Sequence, residues 1–221
     1  MAYVDFLSVI HKATKRDYLA RVNEYPKAEA IKISRKYDYD YWDGDRKFGY
    51  GGYKYDGRWR KVARAMIDHY GLKPGDKILD VGCGKAFLLY DFTQELPGVE
   101  IAGIDTSQYG LDHAKEEVKP FLQNADMRQL PFPDKSFDLV YSINCIHNLH
   151  AFDVVKAAAE MERVGRKHKY ICTESFRNEE EQVNLMYWVL TGRCFYSPEE
   201  WEWFLYKLGG YTGDYSLIFF E

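Results

Sequence analysis

The first long periodic stretch of the chain is helical. Trp59, Val62, Ala63, Met66, Ile67 and Tyr70 recur at i, i+3, i+4, i+7, i+8 and i+11, a single apolar stripe on a 3.6-residue repeat. Gly71 stops this helix and Pro74-Gly75 turns the chain. From there short apolar runs alternate with helical patterns. KILDVG (77–82) reads as a buried strand, 86–96 as a helix stopped by Pro97-Gly98, and EIAGID (100–105) as a second strand. Ser107 caps a helix carrying Leu111, Ala114 and Val118; 121–124 makes a short third strand and FDLVYSI (137–143) a fourth. A helix over 151–164, ended by Gly165, leads into KYICTES (169–175), the fifth strand.

Further on, 179–191 predicts a helix. Ser197-Pro198-Glu199-Glu200 opens another, with serine as cap, proline first and a glutamate three residues after the cap. Its stripe is Trp201, Phe204, Leu205 and Leu208, closed by Gly209, and 211–221 reads as a hairpin or a bent pair of strands. At the amino end, 1–36 is helical in pattern but interrupted at Pro26. Residues 37–56 mix rings and acids with Gly44, Gly49, Gly51 and Gly52 and keep no period, which we read as an ordered loop or lid. The chain therefore divides into a cap and lid (1–56) and a core (57–221). Repeated β-α units predict an α/β fold, doubly wound, with a mostly parallel sheet and helices on both faces. A closing strand pair would allow an antiparallel edge. Ligands of such sheets bind beyond the carboxyl ends of the strands.

Composition changes this picture in three places. No stretch reaches the ~20 apolar residues of a membrane span, and Asp5 and Asp17 oppose a leader peptide. Cys83, Cys145, Cys172 and Cys194 lie far apart with no CxxC, so we expect reduced thiols in the cytoplasm and neither a disulfide frame nor a zinc site. Charge is uneven: 1–64 hold 15 Lys/Arg against 9 Asp/Glu, and the remainder 15 against 25. Such a basic head either meets an external anion or docks on the acidic body.

The chemistry concentrates in ILDVGCGKAFLL (78–89), a strand that turns through Gly82-Cys83-Gly84 into a helix. A glycine turn of this kind lets backbone approach a ligand, and dinucleotide enzymes share it. Here the third glycine of a dinucleotide fingerprint would fall on Phe87, and Asp80 stands at the strand end, where a carboxylate would repel pyrophosphate. A ligand with cations and no phosphate suits it better; S-adenosylmethionine (SAM) carries an ammonium and a sulfonium. Asp105 ends the second strand, where a carboxylate can accept hydrogen bonds from both ribose hydroxyls.

ILDVGCGKA, GIDTS and NADMRQLPFPDKSFDLVYSI, in this order, resemble the class I SAM-dependent methyltransferases over about residues 60–175. The resemblance implies a seven-stranded sheet with the last strand antiparallel, SAM as cofactor, S-adenosylhomocysteine as product, and no metal. It places Asp80, Gly82, Cys83 and Gly84 at the methionine end of SAM and Asp105 on the ribose. Thr106 then packs on adenine, Ala125 and Asp126 sit at its edge, and Ser142 lies near the methyl group. Asp138 takes a structural part. Ala86 departs from the third glycine the family often has.

Methyl transfer from a sulfonium needs alignment in a dry site, and a base only where the acceptor must lose a proton. SINCIHNLH (142–150) follows strand four; it lacks the signature of base-amino methyltransferases and an Asp for a metal. His147, then His150, are the candidate bases, because an unperturbed imidazole titrates near neutrality. Trp42, Tyr50, Tyr53, Arg58 and Asn144 are the candidate acceptor contacts, with Arg58 or Lys54 able to hold an anion. The expected acceptor is a polar small molecule such as a sugar derivative, a phosphorylated metabolite or a hydroxy or amino acid, methylated on oxygen ahead of nitrogen. Methylation of protein or RNA through the basic head, and SAM binding without catalysis, are the alternatives. A membrane partner is not expected, and a homodimer is left open.

Overall fold

The computed structural model describes residues 2–10 and 16–221. The amino-terminal part of the chain contributes three short helices, Tyr18–Glu24 (α1), Lys27–Ser34 (α2) and Tyr39–Trp42 (α3). Pro26 separates the first two, as its missing N–H requires. The helical pattern expected over 1–36 also covers 1 and 11–15, which lie outside the described residues. Arg60–Tyr70 (α4) then buries Val62, Ala63, Met66 and Tyr70 and ends at Gly71 in a left-handed conformation.

Strand and helix alternate through the core as predicted: Lys77–Val81 (β1), Phe87–Glu95 (α5), Glu100–Asp105 (β2), Gln108–Asp112 (α6, which stops short of the Ala114 and Val118 expected in it), Leu122–Asn124 (β3), Phe137–Ile143 (β4), Ala151–Val164 (α7) and Gly165–Glu174 (β5). Glu179–Trp188 (α8), Pro198–Glu202 (α9) and a π-helical turn at Trp203–Leu208 precede Asp214–Ile218 (β6). Ser197 and Glu200 form the reciprocal capping box of α9. The sheet order is β3-β2-β1-β4-β5-β6. Each strand sends alternate residues to opposite faces. Ile78, Leu139, Tyr141 and Tyr170 pack under α4 and α5; Leu79, Val140 and Ile171 pack under α7 and Trp201. Each fully buried Leu, Ile or Met there contributes about 1.5–3 kcal/mol.

The α/β doubly wound fold is as expected, but two details differ. The sheet has six strands among the described residues, and β6 runs parallel to β5. The connection from β5 to β6 is a long helical crossover, which returns the chain in the same direction. A hairpin over 211–221 would have reversed it, and that segment holds one strand. The outer edge of β6 is met by the amino-terminal segment: Tyr3 bridges Tyr215, and Val4 N donates to Tyr215 O at 2.9 Å.

The basic head docks on the body. Lys27 Nζ donates to Met186 O and to Tyr187 O (2.9 Å), Arg21 Nε to Trp188 O (3.1 Å), and Arg35 Nη2 to Gly192 O (2.8 Å). The Met186, Tyr187 and Trp188 carbonyls lie at the carboxyl end of α8, the negative end of its dipole, and Gly192 in the loop that follows. Arg16, Arg21 and Arg46 also lie over the Trp188 ring, at 4.2, 4.4 and 5.1 Å from its centre.

At the amino ends of the strands Asp138 ties three of them together. Its buried carboxylate accepts from Lys77 N (3.0 Å), Arg166 Nε (2.9 Å) and Lys167 Nζ (2.8 Å), which hold it well below the usual carboxylate range. Because its folded pKa is depressed, this stabilisation is complete above the unfolded pKa of about 4 and is lost as pH falls toward the folded value. Asp138→Ala should lower the free energy of unfolding by about 1–3 kcal/mol in denaturant titration at neutral pH, a figure reduced by the half-exposed partners. No loss at neutral pH would contradict the clamp.

Candidate functional site

The strand order reverses between β1 and β4, and the loops leaving their carboxyl ends part there. A cavity of about 380 Å³ opens at this point, a size proper to a small-molecule site. Its floor is the turn after β1. Gly82 and Gly84 both have positive φ (88° and 54°), which only glycine adopts freely. Neither could carry a side chain: a Cβ on Gly82 would collide with Cys145 Sγ, and one on Gly84 with the Trp42 ring. Ala86 also sits in the left-handed region (φ 52°), so the absent third glycine costs the chain about 1–2 kcal/mol of strain.

Two carboxyl groups face this turn. Asp80 is buried and accepts from Tyr141 Oη at 2.9 Å. Burial first, then the Asp105 charge, pushes its pKa up to about 8 against the lowering effect of Tyr141. Asp105 accepts Gly84 N at 2.7 Å on one oxygen and Ser107 N at 2.7 Å on the other, and burial raises its pKa. Each carboxylate oxygen of Asp105 keeps a further acceptor position, enough for two vicinal hydroxyls. Among the described residues no lysine, arginine or histidine offsets either charge. The turn is thus an acidic pair without a basic partner, with Asp80 protonated at neutral pH until a cation seated beside it draws out the ionised form.

The lid closes the other side. Tyr37, Tyr41, Trp42, Tyr50, Tyr53 and Trp59 line the same cavity as Asp80, Gly84 and Asp105. Trp42 and Tyr50 stack at 5.3 Å between centres with a 3° tilt, and Tyr53 follows at 4.6 Å from Tyr50. Three contacts latch this wall to the core. Buried Lys85, next to Gly84, reaches Asp43 at 2.7 and 2.8 Å and Tyr53 O at 2.8 Å; Tyr109 Oη donates to Asp43 at 2.9 Å; Trp42 Nε1 donates to Ser107 Oγ at 2.8 Å. Removing one member of a buried pair such as Lys85–Asp43 costs about 3–5 kcal/mol. Tyr37 and Asn144, on the cavity wall, share the strained positive φ (52° and 53°).

Among the residues predicted from sequence, Asp80, Gly82, Cys83, Gly84, Asp105, Thr106, Ala125 and Asp126 all line this cavity, as do Trp42, Tyr50, Tyr53, Asn144 and His150. Asp126 is engaged by Arg128, which also reaches Asp153 at 3.1 Å. Three predictions fail on placement. Ser142 lies off the cavity and donates to Val81 O at 2.8 Å, because Tyr141 and Ile143 take the site-facing parity of β4. His147 is buried off the cavity, 3.4 Å from Thr173 Oγ1 and 3.3 Å from Glu174 Oε2; burial lowers its pKa to about 4 and raises that of Glu174 to about 8. Arg58 is exposed and bound to Asp56 (2.7 Å), two residues earlier. Sequence reasoning also missed Arg35, Arg193, Asn148 and Tyr141 on the cavity wall. Tyr37 and Tyr41 line the cavity as well, Tyr41 within α3 and Tyr37 two residues before it.

Residues 78–168 match the family model of the methyltransferase domain. The chain is similar to an uncharacterized methyltransferase of Schizosaccharomyces pombe (34% identical over 113 residues, 46% of this chain and 40% of that protein). It is also similar to a demethylmenaquinone methyltransferase of Symbiobacterium thermophilum (32% over 128 residues, 54% and 50%). This chain therefore spans about half or less of these relatives. The fold is shared with the [4+2]-cyclase SpnF (TM-score 0.57, 17% identity, 90% of this chain and 75% of that one). No helix among the described residues is long and apolar enough to cross a membrane, and none of their His, Cys, Asp and Glu side chains cluster in threes to hold a metal ion.

A cation seated beside Asp80 selects its ionised form. With the free carboxyl at about 8, binding of SAM at pH 7 should release a proton, and affinity should climb from pH 6 to 8 by at most about tenfold per unit before levelling. Calorimetry in two buffers of different ionisation enthalpy reads this directly; identical heats would contradict it.

Proposed function

We propose that the chain is a class I SAM-dependent methyltransferase that methylates a polar small molecule, on oxygen ahead of nitrogen, a reading supported by the methyltransferase-domain match over residues 78–168 and by similarity to named methyltransferases. The observation that carries this reading is the shared cavity, in which the acidic turn of Asp80 and Asp105 and the aromatic lid enclose one space. SAM, when bound, supplies a methyl group on a good leaving group. The chain's own residues hold, align and dry the site. Asp80 would meet the ammonium and Asp105 the ribose hydroxyls, with Gly82 and Gly84 giving close backbone approach. The latched wall of Trp42, Tyr50 and Tyr53 excludes water and aligns the acceptor.

An oxygen acceptor must lose its proton. Burial pushes Tyr50 up to about 12 and raises Tyr37, Tyr41 and Tyr53 as well, so these phenols stay protonated and act as donors. Asp126 and Asp153 are engaged by Arg128. His150, the cap residue of α7, remains as the proton acceptor on the wall. The relatives include an enzyme named for demethylmenaquinone, and the aromatic lid would also accept a flat ring of that kind. Docking of Arg21 and Lys27 on α8 and of Arg35 on the loop after it gives the basic head a use within the protein, which weighs against nucleic acid. The shared fold of a named cyclase means that the fold alone does not carry the reaction.

Incubation with methyl-labelled SAM and a metabolite extract should yield a labelled low-mass product, identified by its gain of one CH₂. Label confined to protein or RNA would overturn the small-molecule reading. Asp105→Ala should weaken SAM binding by about tenfold or more in calorimetry. His150→Ala should lower turnover by roughly 10²–10⁴-fold with SAM affinity nearly intact. Full activity in His150→Ala would remove it as the base.

A further inference from the structure

Resting on the methyl-transfer reading, we propose that the acceptor carries an oxyanion, a carboxylate or a phosphate, gripped by Arg35 and Arg193 on the cavity wall. Both side chains line the cavity. Arg35 is fixed there: its Nε and Nη2 donate to Thr191 O (3.3 Å) and Gly192 O (2.8 Å), the carbonyls directly before Arg193. The loop is anchored in turn, since Arg193 N and Cys194 N donate to His147 O at 2.8 and 3.0 Å. The Arg35 guanidinium is therefore held against the short loop that carries Arg193, and the charge of Arg193 adds to burial in lowering the proton affinity of Arg35.

Neither has an acidic partner among the described residues. Elsewhere around the site the basic side chains are paired: Lys85 with Asp43, Arg128 with Asp126 and Asp153, Arg58 with Asp56. Like charges kept side by side in a cavity wall, with donors to spare, form a fork for an oxyanion. A second feature of the same wall points the same way. The amide oxygens of Asn144 and Asn148 are buried without a hydrogen-bond partner, and a hydroxyl or amine on the ligand would supply one. The acceptor thus has an anionic group for the arginines, a polar hydrogen for the amides and a body that stacks on Tyr37, Tyr41 and Tyr50.

The rival occupant of the arginine fork is the carboxylate of SAM itself, and the test separates the two. Protein saturated with S-adenosylhomocysteine is titrated calorimetrically with inorganic phosphate and, separately, with benzoate, which distinguishes the two oxyanion classes. Saturable binding of one of them is expected, weakened about 10- to 100-fold in Arg193→Gln and partly restored in Arg193→Lys, while affinity for S-adenosylhomocysteine stays within about twofold of wild type. Equal anion binding by wild type and Arg193→Gln, or no saturable binding of either anion, overturns the proposal and leaves methyl transfer standing. A parallel loss of S-adenosylhomocysteine affinity in Arg193→Gln also overturns it, by giving the fork to the cofactor. Failure of the wild-type protein to bind S-adenosylhomocysteine at all would sink the methyl-transfer reading with it.

Discussion

Two carboxyl groups at neighbouring strand tips, Asp80 buried and Asp105 half-buried, with no cation of the described residues to offset them, set the terms for the rest of the site. Burying such a pair is unfavourable, and the sheet tolerates it through Tyr141, the Gly84, Thr106 and Ser107 amides and the raised proton affinity of Asp80. The Asp105 bond to Gly84 N fixes the path of the glycine turn. That path leaves no room over Gly84 for anything but the Trp42 ring, so the lid takes its position from the turn. Lys85, one residue on, could have neutralised the acids but instead pairs with Asp43. The cation goes to the latch, and the acids of the turn are left for a cationic ligand to ionise.

The same division of charge runs through the amino-terminal segment. Arg21 and Lys27 bind carbonyls at the end of α8 and Arg35 those of the loop that follows, and three guanidinium groups crowd one indole, so α8 and the lid share a common anchor through Arg46. A lid fixed from both sides makes a preorganised wall, and alignment is the larger part of what methyl transfer asks of a protein.

Much of the fold was legible because its signals are local. The ranges of β2, β4 and α7 agree with their apolar patterns to the residue, and the Ser197–Glu200 cap starts α9 where the motif says. The direction of β6 was not legible, because it depends on the crossover and not on the strand itself. At the site, the glycine turn and both acids could be read from one strand–turn–helix segment and one strand end. Ser142 was misplaced although strand parity holds the answer: it shares a face with Asp138 and Val140, not with Tyr141. Asp56, two residues before Arg58, was a local warning that this arginine has a partner. His147 and His150 sit around a 3₁₀ turn with no period to orient them, and the partners that bury His147 come from β5. Arg193 joins Arg35 only through tertiary contact, which no spacing reveals.

A crystal structure with S-adenosylhomocysteine bound tests the central claim most directly. The account predicts the ammonium group facing Asp80, both ribose hydroxyls on Asp105, and the sulfur aimed at the space beneath Tyr50. A nucleoside seated away from these two acids, or a phosphate resting on Gly82 and Gly84, would contradict it.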